Sequence, residues 1–429
     1  MPSKNRWNKE IPASHSCQSN RALLYALFIC SLGALVLVFT ELAILVRIYP
    51  QRFEVEHDVH KPLENYKEND VISATKVLYP ATEILADDKK RLNVIILTHM
   101  SSGSSFSGNI FNLHPDVFYL YEPLHDLRKC EYGDDWQLMN KTTNDAYRID
   151  FSNLLRDLFT CRFIEENTLP RISPTFLMNA KHLAFMYWRL VNPELTNDAV
   201  RETCRAKKIT VAKIMQTRLP REIGIQELER VCSSDPNQFD CLIIHLVRDP
   251  RAVLSSLLRR KFFIKDSRRQ LFTSENLNAE ATEFIKQNAQ LLCSQVVDNL
   301  NYVKANWPKW FQGRYKLVRY EDIVTNPSIM ADEMYKFVGL SMVQIINDWI
   351  VEGKQPVNTT GTQFSENDIS RIDHWRSDRD PSLVSLFEEA CEPLMKLMGY
   401  ISVYESEHIE KNNGNPLITK EIPLLKDLR

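Results

Sequence analysis

The chain has 429 residues, 44% hydrophobic and 25% charged, enough to bury a large core. A formal charge of −2 excludes a nucleic-acid binder held by bulk electrostatics, so any anion it grips is gripped locally. Its nine cysteines include no C-x-x-C pair, which argues against zinc binding or dithiol redox chemistry.

Near the N-terminus, Ala22 to Thr40 is an uncharged apolar run of 19 residues, extendable past Glu41 to Val46 and long enough to span a bilayer. Lys4, Arg6, Lys9 and Arg21 precede it against one acid, Glu10. The positive-inside rule therefore predicts a cytosolic tail (1–21), a signal anchor (22–46) and translocation of the chain beyond it. A cleaved signal peptide fits less well, because the run is too long and no small-x-small site comes after it. Residues 47–90 are polar and lack a sustained period, as in a stem holding a domain off a membrane. Asn140-Lys141-Thr142 and Asn358-Thr359-Thr360 are glycosylation acceptors in a secretory lumen. There some of Cys130, Cys161, Cys204, Cys232, Cys241, Cys293 and Cys391 are expected to pair, with at least one left over and the connectivity open.

From Leu92 short β-rich apolar runs alternate with longer amphipathic segments, strands being predicted at 92–97, 117–121, 242–247 and 315–318. This alternation predicts an α/β three-layer sandwich with a mostly parallel sheet, over a domain 91–405. Residues 406–429 read as a loosely attached tail. Ligands of such folds sit at the carboxyl ends of strands.

Two strand ends carry the chemistry. After Leu92 to Leu97 come Thr98, His99, Met100, Ser101, Ser102, Gly103, Ser104, Ser105 and Phe106, a P-loop-like turn. Its small residues let backbone N–H groups and hydroxyls approach a phosphate at the start of the helix predicted over 106–113. A Ser/Gly loop by itself is more often a plain turn. The G-x-x-x-x-G-K-[ST] pattern is missing, which disfavours a magnesium-dependent kinase. After Leu242 to Val247 come Arg248, Asp249, Pro250 and Arg251, then Ser255 and Ser256. Arg248 offers a planar fork for a second phosphate, with the Ser256 hydroxyl about two helical turns along. Asp249 and Pro250 also read as the cap and first residue of a helix, a compatible reading.

These segments resemble the Golgi carbohydrate 6-O-sulfotransferases, which modify galactose, N-acetylgalactosamine or N-acetylglucosamine using 3′-phosphoadenosine 5′-phosphosulfate (PAPS). The resemblance runs from Asn93 to about Tyr400. It takes in Ser102 to Phe106, Phe118 to His125 (FYLYEPLH), His245 to Ser256 (HLVRDPRAVLSS), Arg319 to Asp322 (RYED), Tyr335 to Leu340 (YKFVGL), Trp375-Arg376, and Cys391 through Leu397-Met398-Gly399-Tyr400.

The resemblance implies a PAPS site in which Ser102, Gly103, Ser104, Ser105 and Phe106 hold the 5′-phosphosulfate and Arg248 and Ser256 the 3′-phosphate. Trp375 and Arg376 would lie near the nucleotide, although core packing explains them equally well. It also implies a glycan acceptor, no metal, and a single-pass type II Golgi membrane protein. Oligomeric state stays open, a homodimer included. Glu122, at the end of strand 117–121, is the expected base for the acceptor hydroxyl, with His125 orienting it or binding sugar; ion pairing or helix capping is the bland alternative for Glu122. Arg319, Glu321 and Asp322 read as a structural ion-pair cluster. In one place the chain departs from the family pattern: Ser101 stands where a basic residue, usually Arg, precedes Ser-Gly-Ser-Ser. That cation offsets charge on the leaving phosphate. His99 is one candidate substitute, and Lys213 or Arg218 from the segment 211–219 is another. The competing reading is an inactive lumenal protein that binds nucleotide or glycan without turnover.

Overall fold

The computed structural model describes residues 90–125, 127, 145–163, 197–220, 223–260, 264–265, 270–271, 278–352, 372–376, 380–403 and 417–428. The expected tail, anchor and stem, both glycosylation acceptors (Asn140 and Asn358) and Cys130 lie outside the described residues.

Strand β1 is Arg91–Thr98, β2 Val117–Tyr121, β3 Ile209–Met215 and β4 Phe239–Val247; a two-stranded pair, β5 Ile264–Lys265 and β6 Gln270–Leu271, stands apart, and β7 is Tyr315–Arg319. The main sheet has the order β2-β3-β1-β4-β7. Every pairing in it is parallel. The helices are α1 Ser104–Asn112, α2 Asp145–Phe159, α3 Asn197–Arg205, α4 Ile225–Ser233, α5 Pro250–Arg259, α6 Ala279–Ala305, α7 Tyr320–Thr325, α8 Pro327–Val338, α9 Gln344–Glu352, α10 Pro381–Met398 and α11 Pro423–Asp427.

The α/β class follows from burial. Val94, Ile95, Ile96 and Leu97 are all almost inaccessible, as are Ile243, Ile244, Leu246 and Val247, so both faces of the central strands are covered. The chain moves from β1 to β2 in one direction and from β4 to β7 in the other. Right-handed crossovers therefore lay helices on opposite faces, and the reversal falls between β1 and β4. Thr98 pairs with Leu246 in register, so the turns after these two strands emerge side by side.

Among the described residues three buried disulfides link elements of the core: Cys161–Cys204, Cys232–Cys241 and Cys293–Cys391. The last joins α6 to α10. The C-terminus departs from the sequence reading. Instead of a loose tail, residues 417–428 are packed: Thr419 N–H donates to the Gly399 carbonyl at 2.7 Å, Arg319 Nη1 donates to the Thr419 carbonyl at 3.0 Å, and Leu424 is buried. The apolar side chains of Ile422, Leu424 and Leu428 join the core.

Candidate functional site

The turn after β1 is shaped by two residues in the left-handed region, Ser101 at φ 63° and Gly103 at φ 76°. The Ser102 hydroxyl donates to the His99 carbonyl at 2.5 Å and closes the turn. Gly103 then caps α1 with no side chain hydrogen-bonded across the end. The first N–H groups of α1 therefore face the mouth of the turn without a capping oxygen, the arrangement that favours an anion. Glycine is required at 103 twice over: by its φ, and because a Cβ there would stand 2.0 Å from the Tyr320 ring.

The turn after β4 meets it directly. Arg248 Nη1 donates to the Ser101 carbonyl at 2.8 Å, and the Ser256 hydroxyl donates to Ser101 Oγ at 3.2 Å. The Arg248 guanidinium lies 4.6 Å over the Tyr320 ring. Asp249 caps α5 by accepting from Arg251 N–H at 2.9 Å, with Pro250 opening the helix as its sequence predicts. Phe106 packs on Trp349 at 5.3 Å and edge-on to Tyr320 at 6.4 Å, an aromatic floor beneath both turns.

Glu122 sits just past β2, at φ 46°. Of the three non-glycine residues with positive φ among the described residues, two are Ser101 and Glu122, and such strain collects where surroundings over-determine a functional geometry. Lys213, buried on β3 beside β2, places Nζ 2.9 Å from Glu122 Oε1 and 3.5 Å from the centroid of the Tyr121 ring. The Tyr121 hydroxyl is 3.1 Å from Ser105 Oγ. A chain of contacts thus runs from the turn after β1 through Tyr121 and Lys213 to Glu122. His125 donates its backbone N–H to the Glu122 carbonyl at 3.0 Å, which holds the bend after β2.

Not every expected residue gathers there. His99 is buried, and burial lowers its imidazole to about 4, which keeps it neutral near pH 7 and disfavours it as a substitute for the missing cation. Lys213 is the ammonium that reaches toward the carboxylate. Arg218 lies in a short 3-10 turn after β3 rather than in a strand, and its carbonyl accepts from Tyr147. Trp375 is buried against Ala252 and Val384 with Arg251 stacked 4.1 Å over its ring, so its visible role is packing. Arg376 lies 5.5 Å over the same indole. Arg251, not singled out by sequence, is fully buried between Asp249 and Glu388 and ties α5 to α10. Arg319 pairs with Asp322 at 2.8 Å, a structural role as expected. Glu321 is different: it accepts from Asp249 N–H at 3.0 Å and from the Tyr400 hydroxyl at 3.1 Å, and burial beside Asp249 raises it to about 7. Tyr121 and Tyr320 are site residues that sequence reasoning passed over. Their only signal was membership of the FYLYEP and RYED strings.

A parallel sheet with an uncapped Ser/Gly turn and an arginine turn at its reversal point is an arrangement that suits an anionic ligand. The sulfotransferase domain family matches residues 91–399, and the chain belongs to it. The enzyme class implied by its motifs, a PAPS-dependent sulfotransferase, is thereby the class of this protein. It is similar to carbohydrate sulfotransferase 3 of Homo sapiens, 27% identical across 72% of this chain and 67% of that one. Carbohydrate sulfotransferase 1 of Danio rerio is likewise 27% identical, across 79% and 85%. Carbohydrate sulfotransferase 4 of Mus musculus is 27% identical across 74% and 84%. Among solved structures, the sulfotransferase domain of the Synechococcus PCC 7002 olefin synthase aligns with 71% of this chain and 95% of its own at TM-score 0.35 and 19% identity.

Proposed function

We propose that this protein moves the sulfuryl group of PAPS to a carbohydrate hydroxyl, the 6-hydroxyl of a hexose or N-acetylhexosamine, on a glycan in the Golgi lumen. The carbohydrate acceptor is supported by the likeness to carbohydrate sulfotransferases 1, 3 and 4. The observation that carries the site assignment is the meeting of the two turns at Ser101, with Arg248 and Ser256 on one side and the uncapped α1 on the other.

In this reading Ser102 to Phe106 hold the 5′-phosphosulfate, and Arg248 and Ser256 hold the 3′-phosphate. The residues present fit such a donor: one helix start lacks a capping oxygen, and one guanidinium lies at the adjoining strand end. Glu122 accepts the proton of the acceptor hydroxyl as its oxygen attacks sulfur in line. The bond from sulfur to the 5′-phosphate oxygen breaks, and adenosine 3′,5′-bisphosphate leaves with the electron pair. Lys213 supplies the positive charge that position 101 does not. Positioning and charge stabilisation then provide most of the rate, as in phosphoryl transfer. His125 shapes the acceptor side through its hold on the Glu122 backbone. Membership of the sulfotransferase domain family and the likeness to carbohydrate sulfotransferases favour turnover over an inactive binding protein.

Transfer of labelled sulfate from PAPS to a panel of glycans, with the sulfated carbon located by mass spectrometry, tests this. Label on carbon 6 of one sugar is expected. Label on another carbon overturns the regiochemistry, and no label on any carbohydrate overturns the acceptor class.

A further inference from the structure

Ser101 occupies the position where a cation contacting the leaving group would otherwise stand, and its contacts run to the turn after β4. Its carbonyl accepts from Arg248 Nη1 at 2.8 Å, and its hydroxyl accepts from Ser256 Oγ at 3.2 Å. Both partners belong to the β4 side of the crevice, 147 and 155 residues away along the chain. The left-handed backbone at 101 turns the residue that way, a conformation a β-carbon-bearing residue adopts only at a cost. Two hydroxyls in hydrogen-bond contact and a guanidinium thus converge on one spot at the end of β4. That is the donor set of an oxyanion site, in which a charged fork and neutral O–H donors share a tetrahedral group.

We infer that Ser101 is a ligand of the donor's 3′-phosphate: its hydroxyl, with Ser256 and Arg248, forms a three-part cradle that makes recognition of the 3′-phosphate a property of the first turn as well as the second. This rests on the proposed PAPS function and deepens it. On anion binding the Ser101 and Ser256 hydroxyls exchange their mutual hydrogen bond for bonds to phosphate oxygens, while the Arg248 bond to the Ser101 carbonyl keeps the two turns in register. The position has changed function: a group serving the leaving phosphate has become one that selects for the second phosphate.

The test is calorimetric titration of the full-length chain in detergent with adenosine 3′,5′-bisphosphate and with adenosine 5′-phosphate. Ser101→Ala and Ser101→Gly each remove the hydroxyl, and glycine also relaxes the left-handed backbone, which separates chemistry from strain. Both variants are expected to bind the bisphosphate about tenfold more weakly and the monophosphate within about twofold of the parent. An equal loss for both ligands places Ser101 at the 5′ end and overturns the inference. So does a Ser101→Gly protein that binds the bisphosphate like the parent. A parent protein that binds the bisphosphate no better than the monophosphate refutes the donor reading itself, and the Ser101 inference falls with it.

Discussion

Lys213 Nζ lies 2.9 Å from Glu122 Oε1, the lysine on β3 and the glutamate just past the neighbouring strand β2, 91 positions apart in sequence. The lysine is 1% exposed and the glutamate side chain 14%, so the pair is screened little by solvent and opens toward the cleft only through its carboxylate. Removing one partner leaves the other charge buried and uncompensated.

Lys213→Met is therefore expected to lower kcat by about 100-fold or more while leaving affinity for adenosine 3′,5′-bisphosphate within a few fold. Glu122→Gln is expected to lower kcat by about 100- to 10,000-fold with the donor KM little changed. Initial rates and product-binding titrations on the same preparations check both. A double variant no worse than the poorer single one shows that the two act as a unit.

Gly103→Ala forces a β-carbon into the Tyr320 ring at a positive φ. The expected outcome is a destabilisation of about 1–3 kcal/mol and weaker bisphosphate binding, read by thermal unfolding and titration. Gly339, also at positive φ, has open space around it; Gly339→Ala carries the conformational cost alone and leaves binding unchanged.

Glu321 has a carboxyl raised from 4.5 to about 7 by burial and by Asp249. Between those values the folded protein keeps a proton that the unfolded chain has released, so this group's contribution is most favourable below 4.5 and is lost as pH rises through 7. Glu321→Gln keeps an oxygen for the Asp249 N–H and turns an amide toward the Tyr400 hydroxyl, which can accept it. The variant is expected to gain stability relative to the parent at pH 8 and not at pH 4.5, by on the order of 3 kcal/mol at most. Urea unfolding at the two pH values measures it.

His99 and His245 carry the opposite sign. Burial lowers them from 6.5 to about 4 and about 3, and His245 is further lowered by His99. The unfolded chain takes up protons as pH falls through 6.5 while the folded protein does not, so this stability is complete above 6.5 and is lost toward 4. His99→Gln is expected to flatten the fall in melting temperature between pH 6.5 and 5. The same acid loss in parent and variant would refute the assignment.

Much of the frame was legible in the apolar runs. The strand expected at 117–121 is β2 residue for residue, and the run at 92–97 is β1 short of one residue at each end. The apolar run that marks β4 is continuous only from Cys241 on, because Asp240, partly exposed where the strand begins, separates Phe239 from the rest. Asp249 and Pro250 announced a helix start because capping is a local interaction, fixed within three residues. The packed C-terminus differs from the tail reading because Leu417, Ile418, Ile422, Leu424, Leu425 and Leu428 follow no sustained period, and only tertiary packing shows that Ile422, Leu424 and Leu428 are buried.

By itself the sequence determined four of the five strands of the main sheet, the helix start at Asp249 and Pro250, and which family the motifs define, since periodicity, capping and turn chemistry act between residues close along the chain. Only the tertiary structure decided that β3 lies between β1 and β2, bringing Lys213 to Glu122, and that β4 lies beside β1, bringing Arg248 and Ser256 to Ser101. Strand order and disulfide partners depend on how whole elements pack into one core, and no local pattern carries that information.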